Sequence, residues 1–141
     1  MWSALWSWEA WSEPQLVSSV PYALLKYDLL YDGTNGNLVM SVDTVDNSTN
    51  ANGNELLRIN YQNGKWGELA QLTSDQVPDD NPQTAFDAKG KLVLTWLSDS
   101  QVNGVVNFGM SNRQLVLTND YSSNLGDFAL ASGIDGAVAL L

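Results

Sequence analysis

The sequence predicts an all-β chain, and three observations carry that prediction. Apolar residues come in short runs with the two-residue period of strands, Asn-Gly and Asp-Gly pairs punctuate those runs at turn spacing, and helical periodicity is almost absent. The punctuating pairs are Asp32-Gly33, Asn35-Gly36, Asn52-Gly53, Asn63-Gly64, Asn103-Gly104 and Asp135-Gly136, residues that accept the positive φ of a tight hairpin turn.

Taken in chain order, residues 4–8 and 11–17 form a first hairpin led by Trp residues. Tyr22 to Leu30 is the one stretch that tolerates a helical reading. It follows Pro21 and leads directly into a strand-turn-strand pattern, so it is expected to be loop and strand. Residues 56–61 alternate as a half-exposed strand does, with Leu57, Ile59 and Tyr61 inward and Leu56, Arg58 and Asn60 outward. Residues 91–97 place Leu92, Leu94 and Trp96 on one face and Val93 and Leu97 on the other, which predicts burial on both sides.

Two hairpin units recur. One runs over Tyr31 to Val42, Phe86 to Trp96 and Ser132 to Leu140, with Gly36, Gly90 and Gly136 as turn glycines about fifty residues apart. The other runs over residues 4–17, 56–72 and 105–117, with Trp6 and Trp8 matched to Ile59 and Tyr61 and to Phe108 and Met110. A hairpin pair repeating at that period is the signature of a β-propeller, with the first unit as inner strands and the second as outer strands of four-stranded blades. The chain then holds about three blades in one segment, residues 1–141. An outer half blade lies at 2–17, complete blades at about 24–72 and 82–118, and an inner half blade at 126–141. A two-sheet β-sandwich is the alternative.

At Trp11-Ser12-Glu13-Pro14, and from Asn81-Pro82 through Trp96, the chain resembles bacterial propeller repeats of the sialidase-like (BNR or Asp-box) type, in a degenerate form. The family's box reads Ser-x-Asp-x-Gly-x-x-Trp. Here Asn60 to Trp66 has no Asp, and Gly64 lies two residues before the Trp instead of three. Three blades do not close a ring, since propellers have about four to eight. The two half blades are complementary, so the partners expected are a second copy, giving a homodimer of six blades, or the remaining blades of a longer chain.

Composition narrows the function. The formal charge of −10 repels nucleic acid and anionic membranes, so neither is expected as a partner. With no Cys and no His, thiol nucleophiles, thiolate zinc sites and the commonest general base are excluded. No apolar run approaches the roughly 20 residues that span a bilayer as a helix. Residues 1–11 contain Glu9 and no Lys or Arg, unlike a signal peptide, yet the acidic, Asn-rich, Lys-poor composition fits an extracellular or cell-surface bacterial protein.

In a propeller the longer connections gather on one face, and the blade assignment puts residues 43–55, 73–82, 98–104 and 118–125 there. These hold Asp43, Asp46, Asp75, Asp79, Asp80, Asp99 and Asp120, the candidate ligand-binding residues. Such carboxylates can bind Ca²⁺, a cation or a polyhydroxylated ligand such as a glycan. Equally, Asp and Asn populate loops because they cap turns and keep a surface soluble. Residues 43–55 match no EF-hand frame, and no cofactor is called for beyond Ca²⁺. Stacking of sugars on the Trp residues is weighed against packing between blades, and packing is favoured for Trp6, Trp8, Trp66 and Trp96.

A sialidase-like site would need an arginine cluster, and the only arginines are Arg58 and Arg113. The expected function is a non-catalytic binding or structural scaffold module. The alternative is part of a propeller-fold glycoside hydrolase or glycan-binding lectin.

Overall fold

A computed structural model describes residues 1–19, 22–43, 53–75, 77–99, 101–106, 115–116, 128–133 and 138–140. Among them there is no helix, and all the sheets are antiparallel. The strands are β1 (Trp2–Ser3), β2 (Gln15–Leu16), β3 (Ala23–Tyr31), β4 (Gly36–Asp43), β5 (Asn54–Gln62), β6 (Lys65–Gln71), β7 (Asp79–Phe86), β8 (Leu92–Ser98), β9 (Gln101–Val106), β10 (Leu115–Val116), β11 (Leu130–Ser132) and β12 (Val138–Leu140). They form two four-stranded meanders, β3-β4-β5-β6 and β7-β8-β9-β10, and two ribbons, β1-β2 and β11-β12. No strand is exchanged between sheets, so every backbone ladder closes among neighbours in sequence.

The meanders form where turn chemistry and period-two apolar runs coincide. Asn63 and Gly64 both have positive φ (52° and 78°) and join β5 to β6. Asp32 caps the β3–β4 turn, its carboxylate accepting the Thr34 N–H (2.8 Å) and the Asn35 N–H (2.6 Å). Asp87 repeats the device between β7 and β8, accepting from Lys89 and Lys91, each at 2.8 Å. Backbone N–H donation, from Asn35 to Asp32 and from Lys91 to Asp87, is the leading cause that holds both pKa values below the ordinary carboxylate range.

Two apolar clusters hold the sheets together. Leu38, Met40, Val42, Leu57 and Ile59 on one face of the first meander pack with Val17 and the half-buried Trp66, which brings the N-terminal segment onto that face. Val39 and Leu56 on the opposite face pack with Leu94, Trp96 and Val105 of the second meander. Contacts between the meanders concentrate on β7, which touches β3 most and β4 and β5 less; β11 in turn touches β7. Between the first strands, the Asp28 carboxylate accepts both the Thr84 N–H (2.6 Å) and the Thr84 hydroxyl.

Several sequence expectations need correction. Leu56 is fully buried, because both faces of the first meander are covered at that level. The positive-φ turn glycine between β3 and β4 is Gly33 (φ 96°), whereas Gly36 begins β4, where an added Cβ would lie 3.2 Å from the Tyr61 Cβ. Asn103-Gly104 is no turn. Both residues lie within β9, paired to Trp96 and Thr95. Trp8 is no strand residue either; it has φ 72° at a hairpin tip and is 91% exposed. Trp2, Trp6 and Trp11 are exposed as well, while Trp96 is buried. The turn residues Asn52, Asp135 and Gly136 lie outside the described residues.

Candidate functional site

At the end of the meanders where β3 and β7 begin, strand starts and strand ends meet in register. Ala23 pairs with Asp43, Asp43 with Asn54, and Asp79 with Ser98. The segment leaving β6 folds back over this end. The Thr73 hydroxyl accepts the Leu56 N–H (2.9 Å), and the Asp75 N–H donates to Glu55 Oε1 (3.1 Å). Asp75 in turn accepts the Val77 N–H (2.8 Å) in an Asx turn that starts the run into β7.

Asp79 is the centre of this end. It is 1% exposed; its Oδ1 accepts the Trp96 indole N–H (2.9 Å), and its backbone carbonyl accepts the Ser41 hydroxyl (2.9 Å). One residue therefore ties β7 to β8 and to β4 of the other meander. Burial raises the Asp79 pKa, against the pull of the Thr73 and Ser98 hydroxyls beside it, and the Asp75 charge adds to the rise. Glu55, 4% exposed, is raised for the same leading reason, with the Thr73 hydroxyl opposing and Asp79 and Asp75 contributing repulsion. Glu55 Oε2 and Asp79 Oδ2 are buried and accept no well-formed hydrogen bond. A buried carboxyl with an idle oxygen is more favourable protonated, which fits both shifts.

The structure brings together only part of the set expected from sequence. Asp75 and Asp79 meet, and Asp43 lies at the same end of the first meander, half-buried. Asp79 and Asp80 belong to strand β7 instead of a loop. Asp80 accepts the Asn81 N–H (2.7 Å) and lies 3.8 Å from the Lys26 ammonium of β3. Asp99 is exposed in the β8–β9 turn with φ 45°. Asp46 and Asp120 lie outside the described residues. Among the described residues no three His, Cys, Asp or Glu side chains form a group that could hold a metal ion.

Sequence reasoning missed Glu55, Thr73 and Ser98. Glu55 was readable only as the residue preceding a strand, and nothing in the sequence shows that the chain folds back over it. The strongest surface feature was assigned to packing between blades, whereas it is exposed. Trp6 and Trp11 form a tilted ring pair at 5.5 Å, both more than half exposed, with Trp2 (67% exposed) on the same ribbon.

No family model matches the chain, and no curated protein or solved structure is significantly similar to it.

Proposed function

We propose that the chain is a β-propeller segment serving as a non-catalytic binding or structural scaffold of an extracellular protein. One observation supports the reading: the consecutive four-stranded meanders meet most through their first strands. β7 packs against β3 on the preceding meander and against β11 of the following ribbon, whereas among the described residues the fourth strands, β6 and β10, make no comparable contact across sheets. A β-sandwich would overlay the two sheets across their full width. Blades around an axis approach at their inner strands and splay outward.

The chemistry at the strand-start end supports a scaffold over an enzyme. Asp79 is engaged by Trp96, Asp80 by Lys26 and its own turn, and Asp75 by Val77, so these carboxyls serve the architecture. A crystal structure of the assembled protein tests the fold, with β3, β7 and β11 expected side by side around one axis. Strands shared between the meanders would sink it. A glycan array with and without Ca²⁺, run on the intact assembly, tests the function: no reproducible binding is expected, and a saturable glycan signal would replace the scaffold with a lectin.

A further inference from the structure

The N-terminal ribbon copies the outer half of the first meander in detail. Trp6 bridges Trp11 as Tyr61 pairs with Trp66, with four residues between the partners in each case, Ser7–Ala10 and Gln62–Lys65. The second of these four residues has positive φ in each, Trp8 at 72° and Asn63 at 52°, whereas the third has it only in the meander, at Gly64 (78°). The ring pairs match as well, at 5.5 Å and 55° for Trp6 and Trp11 and 5.1 Å and 58° for Tyr61 and Trp66. The stacking follows the same order. Ser3 accepts the Trp66 indole N–H (2.8 Å) and Val17 enters the first meander's core, so the ribbon sits on the first meander as that meander sits on the second.

Among the described residues no inner pair lies beside the ribbon. In the first meander β3 and β4 lie beside β5; among the described residues only β2 pairs with β1. The face of β3 that such a pair would cover is exposed, with Leu24 at 42%, Tyr27 at 61% and Leu29 at 50%. Together with Met1, Trp2, Ala4, Val17 and Trp66, these residues line a cleft of about 390 Å³.

We propose that this edge and cleft receive the β11–β12 ribbon of a second copy of the chain. The inference rests on the propeller reading and names the partner that the reading leaves open. β11–β12 is the matching piece. Ser132 pairs with Val138 as Phe86 pairs with Leu92, with five residues between the partners in each. A chain's own β11–β12 is placed elsewhere, because β11 lies against β7 and, among the described residues, neither β11 nor β12 has a comparable contact with β1 or β2. The area suffices. Leu24, Tyr27, Leu29 and Tyr31 on β3, with Trp2, Trp6, Trp11 and Leu16 on the ribbon, expose on the order of 900 Å² per copy, close to the ~800 Å² per partner of a stable interface.

The repeat fixes the register. Gly36 stands opposite Tyr61 in the first meander, so Val138 stands opposite Trp6 of the other copy and Ala139 opposite Leu5. Because the chain has no Cys, Leu5→Cys and Ala139→Cys can be placed on separate chains, mixed and oxidised. A disulfide between chains is expected, and light scattering of the wild type should give twice the 15.4 kDa chain mass. The double variant Tyr27→Asp, Leu29→Lys changes residues exposed in the single chain, so it should fold, and its self-affinity should fall at least about tenfold.

A one-chain mass for the wild type at about 100 µM, or no inter-chain disulfide, overturns the second copy. Within one chain, Asp28→Cys with Thr84→Cys reports the stacking of β3 on β7 independently. If that bridge forms and the mixed one does not, the fan of sheets stands and the second copy falls. If neither forms, the propeller reading falls with it.

Discussion

The hairpin tips at Ser7–Ala10 and Gln62–Lys65 each join a pair of packed rings and differ in their surroundings. Tyr61 is 6% exposed because Tyr31 meets its ring edge-on at 6.2 Å and Gly36 lets β4 come close; Trp6, in the equivalent place, is 51% exposed. The difference teaches that the local sequence builds the hairpin and its ring pair, whereas burial depends on the inner strands supplied beside it. An exposed Trp on a well-formed strand is therefore a statement about a missing neighbour.

The sharpest way to break that comparison is to remove a side chain that does have its neighbours. Leu56→Ala, between the meanders, should cost about 3 kcal/mol by chemical denaturation, whereas Trp8→Ala at the exposed tip should stay within about 0.5 kcal/mol. Equal costs would show that Leu56 is not covered from both sheets as the packing places it.

Next comes the close approach that shelters Tyr61. Gly36→Ala puts a methyl 3.2 Å from the Tyr61 Cβ, and a loss of about 1 kcal/mol with a changed near-UV tyrosine signal is expected. An unchanged spectrum would mean that Gly36 is not what seats the ring.

The titration of the strand-start end distinguishes buried from exposed acids. Glu55 and Asp79 have raised pKa values, so the folded state holds more protons than the unfolded chain. Their contribution is fullest below the ordinary carboxylate pKa and is lost as pH rises through the raised values. Asp32 and Asp87 act oppositely: their lowered pKa values give stability that is present above the ordinary range and lost as pH falls through the folded values. Asp79→Asn should therefore flatten the decline in stability between mildly acid and neutral pH and raise stability at neutral pH by roughly 1 kcal/mol. Denaturant midpoints measured across that range check it, and an unaltered profile would remove Asp79 from the account.

The smallest effect expected is Trp8→Gly, which relieves a positive φ in a bulky residue. A gain of about 0.5 kcal/mol or less is expected at the ribbon, read from the thermal midpoint.

Much of the fold was legible in the sequence, and the reasons are local. Asn63-Gly64 dictates a two-residue turn by its φ preferences, and Leu92 to Leu97 shows a strand covered on both faces by its continuous apolar run. Position within a turn was harder to read. Gly33 and Gly36 are both plausible turn glycines in the string Asp32 to Gly36, and only the close contact with Tyr61 assigns Gly36 to the strand. Asn103-Gly104 looked like a turn by composition, but pairing with Thr95 and Trp96 overrode that local preference.

The candidate site was legible only in part. Asp79 was singled out as a loop carboxylate, whereas its burial depends on Trp96 and Ser41, which are distant in sequence. The sequence contains no local sign of Glu55 becoming covered by Thr73 and Asp75. The Trp matching failed by a shift of two residues, because Trp6 and Trp8 both satisfy a period-two pattern and only the hairpin tip tells them apart.

Since each meander closes its own ladder with strands adjacent along the chain, most backbone pairing can form before distant segments meet, and assembly can proceed one sheet after another. Amide hydrogen exchange would display that order as gradations of protection. Slowest exchange belongs to β4 and β5, which have neighbours on both edges and apolar cover on both faces; the amides along the outer edge of β1 should exchange freely until something docks there.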